Sequence, residues 1–358
     1  MNTTQSTHGH WRRPFAVLAI TAVVLALAGA ASGQPAAPST ELVVAALGGA
    51  LGQSIREVFE PFEKQYNVKI RWDTVGSSVE NVARAVATKD HPVFDLVFGD
   101  MTNLPVGADQ GVWAQIDEKI VTNYKDQLPQ AKMASHDTVY YGFVATALFY
   151  NTQEFEKRGW KAPTHWSDLL KKEYCGRVGL NHPNVSYGVH TLIMLGGGDP
   201  AKASDGIARL AAYKDCIPVL EPTAAKLEEK IELGEYWIGV EGSVRIIPLS
   251  KKGVPIRFVI PDEGPVMYAS GVAPVKNAPH ARMAQEFLNW ILRPDVQVQL
   301  MEKAFYGPTN SAVKVPKEDA QLGVPDAEVV KRSVFIPAKT ITENRRAWTR
   351  ELDRAMEK

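Results

Sequence analysis

Residues 140–150 read YYGFVATALFY, a continuous β-type run that is longer than a usual strand of about 5–6 residues. A strand of this length can pass from one lobe of a protein into another. A second long extended stretch, Val266–Val275, follows much later in the chain. We predict that these two runs are crossings between two lobes.

Strands and helices alternate on both sides of the first crossing. Before it, the chain reads as three strands, Leu42–Ala46, Val68–Trp72 and Phe94–Phe98, with a helix in each gap. After it, the alternation restarts and continues to a strand at Ile256–Ile260. This order is typical of parallel sheets with helices on both faces. We therefore predict an α/β fold, a two-lobed clamshell in which each lobe is a doubly wound, mainly parallel sheet and two extended crossings join the lobes.

The other elements follow from apolar spacing and from helix start and stop signals. Ser77 with Glu80 three residues later forms a capping box, and Asp199-Pro200 marks another helix start. The further predicted strands are 176–180, 217–220 and Tyr236–Val240. Three predicted helices are given by their starts, at Gly52, after Ser77 and at Pro294. The other predicted helices lie near 164–172, 186–195, 199–213, 222–233, 243–251, 279–293 and 341–356.

The first residues have the pattern of an export signal. Arg12-Arg13 precedes an almost wholly apolar stretch, 14–31, that ends in small residues. This order of charged, apolar and small residues is typical of a cleaved secretory signal peptide. The alternative is an uncleaved membrane anchor. We predict a signal peptide over 1–33, a linker over 34–40 and a periplasmic location for the rest of the chain.

The two crossings set the predicted domain boundaries. We expect a first lobe built from 41–145 and 266–310, and a second lobe over 146–265. A C-terminal helical segment over 311–358 is expected to pack across both lobes. The two lobes then come close to the size of about 150 residues that is usual for one domain.

Charge and motifs exclude several classes of function. The chain has 40 Lys+Arg against 40 Asp+Glu and a pI near 7.1, whereas nucleic-acid-binding domains usually exceed a pI of about 9. After the signal region the sequence has no metal-binding histidine spacing, no nucleophile elbow and no phosphate-binding loop. We predict a monomer that is not an enzyme, with no catalytic residues, no cofactor, no metal and no nucleic-acid partner.

Two cysteines are present, Cys175 and Cys216, each just before a predicted strand. If those strands are parallel neighbours, both sulfurs lie at one edge of the sheet, close enough for disulfide geometry. An oxidising compartment allows such a pair to bridge. We predict the disulfide, and the alternative is two buried free thiols.

A series of segments spread over residues 41–357 carries the next inference. They read, in chain order, VFEPFEKQYNVKIRWD (58–73), FDLVFGD (94–100), YYGFVATALFYNT (140–152), HWSDLLKKEYCGRVGL (165–180), GEYWIGVEGS (234–243), IRFVIPDEGPVMYASGVAPVKNAPH (256–280), AQEFLNWILRPDVQ (284–297) and YGPTN (306–310). In this order they resemble the periplasmic solute-binding proteins of ABC importers, in particular the spermidine/putrescine-binding-like family. The resemblance implies a type II periplasmic-binding-protein clamshell. It also implies reversible capture of a small-molecule solute and its delivery to an ABC permease in the inner membrane.

Candidate ligand contacts follow the predicted strands, because ligands of open α/β sheets lie beyond the carboxyl ends of the strands. Helix starts suit an anionic group, arginine can clamp a carboxylate, and tyrosines offer faces for stacking. The predicted ligand-binding residues are Gly49 (through its backbone), Ser77, Asp100, Thr102, Tyr187, Glu241, Ser243, Arg245, Tyr268 and Ser270. The alternatives are that Ser77 only caps its helix, that Arg245 pairs with Glu241 or points to solvent, and that the two tyrosines are buried structural residues.

The chain departs from the family at positions that hold ammonium groups. The resemblance implies acidic residues near 181–186 and in the second crossing, but 181–186 has no carboxylate and Ala269 replaces the acid in the crossing. Each lost charge-assisted contact costs about 1.5–3 kcal/mol. Because Arg245 favours an anionic group, we predict an amino-acid-like, organic-acid or phosphonate ligand. The alternatives are a true polyamine binder and a ligand-sensing protein that docks on a membrane receptor.

Overall fold

The computed structural model describes residues 40–357. The predicted signal peptide, 1–33, and the predicted linker up to residue 39 lie outside the described residues. Among residues 40–357, no helix combines the length and the apolar character needed to span a bilayer.

The described residues form ten strands and thirteen α-helices. The strands are β1 (Thr40–Ala45), β2 (Val68–Asp73), β3 (Leu96–Asp100), β4 (Val139–Asn151), β5 (Val178–Asn181), β6 (Leu220–Glu221), β7 (Ile238–Gly242), β8 (Ile256–Val259), β9 (Val266–Pro274) and β10 (Val334–Phe335). The helices are α1 (Gly49–Tyr66), α2 (Ser78–Ala87), α3 (Leu104–Asp109), α4 (Thr152–Arg158), α5 (Ser186–Leu195), α6 (Ala203–Ala212), α7 (Ala224–Glu232), α8 (Ser243–Lys251), α9 (Ala281–Ile291), α10 (Pro294–Ala304), α11 (Lys317–Leu322), α12 (Ala327–Lys331) and α13 (Ala338–Met356).

The strands join in the order β2-β1-β3-β9-β4-β7-β5-β6, with β10 beside β9 and β8 beside β4. Strands β2, β1 and β3 are parallel to one another, and so are β7, β5 and β6. Between these two parallel groups run β9 and β4, which are antiparallel to each other and to their neighbours β3 and β7. The predicted α/β fold, two parallel groups joined by two extended crossings, is confirmed.

Strand β4 belongs to both halves of the fold. All 13 of its residues are buried, as expected for a strand covered on both faces. Thr146 pairs with Val266 of β9 on one side and with Gly242 of β7 on the other. The boundary predicted between 145 and 146 therefore falls inside a continuous strand. The predicted lobe boundaries remain predictions.

Aromatic side chains fill the core on each side of the crossings. In the first half, the Phe59 ring of α1 lies 5.9 Å from Phe98 of β3 and 5.5 Å from Phe287 of α9, measured between ring centroids. In the second half, Phe155 and Tyr174 stack at 5.3 Å. Close-packed interiors of this kind hold the strand ends in fixed positions.

Helices begin directly where several strands end. Helix α8 starts at Ser243, the residue after β7, and α5 starts at Ser186, five residues after β5. The capping box predicted for α2 is confirmed, because the Ser77 hydroxyl accepts the Glu80 N–H and the Glu80 carboxylate accepts the Ser77 N–H at 2.7 Å. Strand ends and helix starts are thus brought to one side of each parallel group.

The helix predicted near 164–172 is wrong, because this segment forms two short 3-10 turns instead. The Asp168 carboxylate accepts the backbone N–H groups of Thr164 and His165, at 2.8 and 3.0 Å. A side chain that binds the nearby backbone competes with helix formation, which explains the turns. The helix predicted over 199–213 likewise begins with a 3-10 turn and becomes α-helical from Ala203.

Several strand predictions were displaced. The strand predicted over Tyr236–Val240 is β7 at Ile238–Gly242, so Glu241 lies inside the strand and not after it. The strand predicted over 217–220 is reduced to β6, since Pro218 has no N–H to donate to a neighbouring strand. Strand β3 begins two residues later than predicted, because the Asp95 carboxylate accepts the Val43 N–H at 2.8 Å. As a result Asp100 is the last residue of β3 and does not lie in the loop after it.

The two cysteines form a disulfide, Cys175–Cys216, with 4.3 Å between their Cα atoms. Strands β5 and β6 are parallel neighbours, and Leu180 pairs with Leu220. Both cysteines precede these strands and so lie at the same edge of the sheet. The predicted disulfide is confirmed.

Candidate functional site

Asp100 ends β3 and lies opposite Ser270 of β9 in the strand pairing. Its carboxylate accepts the Thr102 N–H at 2.7 Å and the Thr102 hydroxyl, while its own N–H is donated to the Asn103 side chain at 3.1 Å. Burial raises the pKa of Asp100 above its ordinary value, although Thr102, Asn103 and the nearby charge of Arg345 act in the opposite direction. Three predicted residues, Asp100, Thr102 and Ser270, are therefore together at the end of β3.

Tyr187 of α5 joins this group through Tyr268 of β9. The two phenol oxygens are 2.9 Å apart and share a hydrogen bond. A Cβ atom at Gly242 would lie only 2.6 Å from the Tyr187 hydroxyl, so a glycine is needed there for the tyrosine to approach β7. Burial raises the pKa of Tyr187 to about 12, so its hydroxyl keeps its proton at neutral pH.

Glu241 is fully buried near the end of β7. Its carboxyl group accepts the Asn181 amide N–H and the Gly242 backbone N–H, both at 2.9 Å. Burial raises the pKa of Glu241 to about 8, although Arg245 and these two donors favour the charged form. Glu241 is therefore mostly protonated at neutral pH.

Arg245 lies in the first turn of α8 and donates to the carboxylate of Glu228 on α7. This partner differs from both alternatives considered above, which were Glu241 and solvent. Burial works against its charge, but Tyr187, Glu241 and Glu228 together raise its pKa above the ordinary value. Within the described part of the chain, the Nε of Arg245 is buried without a hydrogen-bond partner.

Arg345 was not predicted, and it reaches the site from α13. Its guanidinium donates to the Asn184 carbonyl and the Ser186 hydroxyl, both at 3.3 Å, and interacts electrostatically with Asp100. No carboxylate of residues 40–357 lies within ion-pair distance of it. No local sequence signal marked this position, because the residue belongs to a polar helix far from any strand end.

We call the six residues linked by these interactions the central cluster: Asp100, Tyr187, Glu241, Arg245, Tyr268 and Arg345. Five of them were predicted from the sequence. The central cluster joins residues of both parallel groups, since Asp100 is the last residue of β3 whereas Glu241 belongs to β7. It brings two carboxyl groups and two guanidinium groups together with two tyrosines.

Three predicted residues are used differently. The Ser77 hydroxyl caps α2, and the Ser243 hydroxyl is buried and accepts the Ala145 N–H at 3.3 Å. Gly49, in the left-handed region with φ of 71°, starts α1 and lines a cavity of about 650 Å³ together with Arg245 and Lys303. Gly49 therefore shares a cavity with Arg245 of the central cluster.

His190 lies against the central cluster as an uncharged group. Its ring is 5.9 Å from the Tyr268 ring, and its Nδ1 is 2.9 Å from the Thr146 hydroxyl. Burial lowers the pKa of His190 to about 3. Within the described residues, no group of three or more His, Cys, Asp or Glu side chains is placed to hold a metal ion.

Comparison with known proteins gives consistent matches. The family described as bacterial extracellular solute-binding protein matches residues 57–323. The spermidine/putrescine-binding periplasmic protein of Escherichia coli K12 is 27% identical over 293 residues, which cover 76% of this chain and 81% of that protein. The gamma-aminobutyric acid-binding protein of Pseudomonas aeruginosa is 23% identical over 298 residues, 80% of each chain.

Solved structures share the fold. The crystal structure of the spermidine/putrescine ABC transporter substrate-binding protein from Streptococcus pneumoniae superimposes with a TM-score of 0.73 at 18% identity. The superposition covers 89% of this chain and 100% of that chain.

A two-lobed α/β fold with a polar cluster at its strand ends defines the class of binding proteins that close around a solute. This chain belongs to the bacterial extracellular solute-binding proteins, and it is an ABC-type solute-binding protein of the polyamine-binding-like group. Members of the family are transport proteins and not enzymes. They bind small-molecule solutes and deliver them to a membrane permease.

Proposed function

We propose that this protein captures a small zwitterionic solute in the periplasm, with one ammonium group and one carboxylate or similar anionic group. It delivers that solute to an ABC permease of the inner membrane. The ligand bridges the two halves and shifts the population toward a closed form. Export by a cleaved signal peptide over 1–33, a monomeric state and the absence of catalytic activity belong to the same proposal.

The charge balance of the central cluster carries this proposal. Two guanidinium groups, those of Arg245 and Arg345, act on the carboxyl groups of Glu228 and Asp100, while Glu241 is mostly protonated at neutral pH. A zwitterion brings no net charge and leaves this balance intact. A diammonium compound would add positive charge beside two arginines in a partly buried site, where an unpaired ion costs several kcal/mol.

Unpaired polar atoms beside the central cluster also fit a zwitterion. In the described part of the chain, the Asn181 Oδ1 and the Arg245 Nε are both buried without a hydrogen-bond partner. The first is an acceptor suited to an ammonium group, and the second is a donor suited to a carboxylate. Buried polar groups in native proteins are nearly always paired, so these atoms favour a polar ligand.

One relative of this chain is named for a zwitterionic ligand. Gamma-aminobutyric acid, named for the Pseudomonas aeruginosa relative, carries one amino and one acid group. The polyamine-binding relatives are similar in sequence. At Ala269 and over 181–186, where the resemblance implies acidic residues, this chain has no carboxylate. These differences support a ligand with fewer ammonium groups than a polyamine.

Isothermal titration calorimetry of the purified protein tests the proposal. The probes are 4-aminobutyrate, a set of α-amino acids, succinate, putrescine and spermidine. We expect at least one zwitterion to bind about 10-fold more tightly than putrescine, spermidine and succinate. Tighter binding of putrescine or spermidine than of every zwitterion would contradict the proposal.

Variants of the charged residues give a second test. Asp100→Asn and Arg345→Gln should each weaken binding of that zwitterion by about 10-fold or more, as expected for a lost charge-assisted hydrogen bond. Arg346→Gln is the matched control, because Arg346 is exposed and adjacent on α13. Equal effects of Arg345→Gln and Arg346→Gln would count against a ligand contact by Arg345.

A further inference from the structure

A cavity of about 390 Å³ opens beside the central cluster. Tyr268 and Thr102 lie in its wall. Because Thr102 donates its N–H to the Asp100 carboxylate, the cavity lies next to the polar groups at the end of β3. The rest of the wall is largely apolar, and we call this space the methionine cavity. Its main apolar lining residues are Met101, Met133, Met267, Val266, Phe335 and Ile341.

Among the described residues, Lys132 is the one charged side chain in the wall of the methionine cavity. None of the described residues in its wall is an Asp, Glu or Arg. The exposed ammonium group of Lys132 donates to the Lys125 carbonyl at 3.0 Å and lies 5.4 Å from the centre of the Tyr124 ring, and neither residue lines the cavity. His190 is uncharged, because burial lowers its pKa to about 3.

The cavity on the other side of the central cluster has the opposite character. The cavity of about 650 Å³ that contains Gly49 is lined by Arg245, Lys251, Lys252 and Lys303, and also by Glu228 and Glu232. Tyr187 links the two sides, since it interacts with Arg245 and shares a hydrogen bond with Tyr268. One side of the central cluster is therefore lined by charged groups of both signs, and the other side is largely apolar.

The size and chemistry of the methionine cavity match a ligand subsite. Ligand pockets usually have volumes of about 300–1,000 Å³ and mostly apolar walls with a few polar groups. Methionine side chains are flexible and polarizable, so they adapt to irregular apolar groups. An ammonium group would lose part of its hydration there without gaining a carboxylate partner, which is unfavourable.

We infer that the methionine cavity receives the apolar side group of the solute. The solute is therefore an amino-acid-like zwitterion with a bulky branched, thioether or aromatic side group. This inference rests on the proposed function and narrows its substrate class. The ammonium and anionic groups stay with the central cluster, and the side group passes Thr102 and Tyr268 into the cavity. Straight-chain amines lack a group that can fill this space.

Isothermal titration calorimetry on the unmodified protein compares amino acids that share the same α-ammonium and α-carboxylate groups. Alanine, leucine, methionine and phenylalanine differ in the side group, and 4-aminobutyrate and putrescine serve as straight-chain references. We expect the best of leucine, methionine and phenylalanine to bind at least about 10-fold more tightly than alanine and 4-aminobutyrate. One extra methylene in an apolar pocket already gives about 10–200-fold discrimination.

The outcomes separate the two proposals. If alanine or 4-aminobutyrate binds as tightly as the bulky amino acids, the inference about the methionine cavity is wrong and the zwitterion proposal stands. If putrescine binds most tightly, or if no zwitterion binds, the proposed function is wrong and this inference fails with it.

A cavity-filling variant locates the side group. Ala338 lines the methionine cavity at the start of α13, so Ala338→Leu should weaken binding of the bulky amino acid by about 10-fold and leave alanine binding unchanged. Thr342→Leu, one turn further along α13 at an exposed position, is the matched control. An equal loss for both ligands would overturn the inference. The probe series on the unmodified protein decides the question even if Ala338→Leu fails to fold.

Discussion

Among single residues, Glu241 has an ionisable carboxyl group that is fully buried and hydrogen-bonded by two N–H donors. Its carboxyl group receives hydrogen bonds from Asn181 and Gly242, and Arg245 lies close enough to favour the charged form. Burial nevertheless dominates and raises its pKa to about 8. The folded protein therefore binds a proton at neutral pH that the unfolded chain does not.

This difference predicts a pH-dependent stability. The unfolded carboxyl group titrates near 4.5, so between about pH 4.5 and 8 the unfolded chain has lost a proton that the folded protein keeps. The free energy of unfolding contributed by Glu241 therefore falls as the pH rises through that window. In Glu241→Gln, urea unfolding should show stability rising relative to wild type from pH 5 to 8, by at most about 1.4 kcal/mol per pH unit.

The control for this prediction is Glu232→Gln, which changes an exposed carboxylate on α7. It should leave the pH dependence unchanged. If Glu241→Gln and wild type had parallel stability profiles from pH 5 to 8, Glu241 would be ionised in the folded protein.

The site residues show what a sequence can reveal. Asp100, Glu241 and Arg245 were found because they lie at or just after predicted strands, where ligands of α/β sheets bind. Arg345 was missed because it enters from α13, and only tertiary packing brings it toward Asp100. The partner of Arg245 was also missed, since Glu228 lies on the neighbouring helix and no local pattern links the two residues.

At the level of elements, α2 shows how one hydroxyl can be interpreted in two ways. Ser77 was predicted as a ligand contact, with helix capping as the alternative. The structure uses its hydroxyl to accept the Glu80 N–H, and the side chain is exposed. A hydroxyl that caps a helix is already engaged, so its loss should act on stability.

We expect Ser77→Ala to lower the free energy of unfolding by about 1 kcal/mol, the usual cost of a lost N-cap. Calorimetry with the bound zwitterion should give an unchanged affinity. Ser77→Asp is the control, because aspartate also caps helices and should preserve most of the stability. A weaker affinity of Ser77→Ala with unchanged stability would instead identify Ser77 as a ligand contact.

The boundaries of helices and strands were predicted correctly where no side chain competes for the backbone hydrogen bonds. Helices were predicted at 186–195 and 243–251, and α5 and α8 occupy these same residues. The prediction failed where a side chain takes over a backbone hydrogen bond, as Asp168 does at 164–165 and Asp95 does with Val43. Such contacts depend on the folded geometry and are not visible in hydrophobic spacing.

At the level of the whole molecule, the disulfide Cys175–Cys216 closes a loop with a sequence separation of 41 residues. Replacing both cysteines, Cys175→Ser with Cys216→Ser, frees this loop in the unfolded chain. Chain entropy for a loop of that length predicts a loss of about 3–4 kcal/mol in the free energy of unfolding, measured in urea.

Ligand affinity should be unchanged in the same double variant. Cys175 precedes β5, whereas Asn181 at the other end of that strand contacts the central cluster. A stability loss below about 1 kcal/mol, or a large loss of affinity at full stability, would contradict this assignment of a purely structural role.

The position of β9 also has a consequence for the order of folding. This strand lies between β3 and β4, so Asp100 must find Ser270 after the whole second parallel group has been synthesised. Contacts between residues so distant in the chain are entropically costly to close and form slowly. The first half consequently keeps an open strand edge until β9 arrives. Since β9 carries Tyr268 and Ser270, the central cluster cannot form before β9 has paired with β3 and β4.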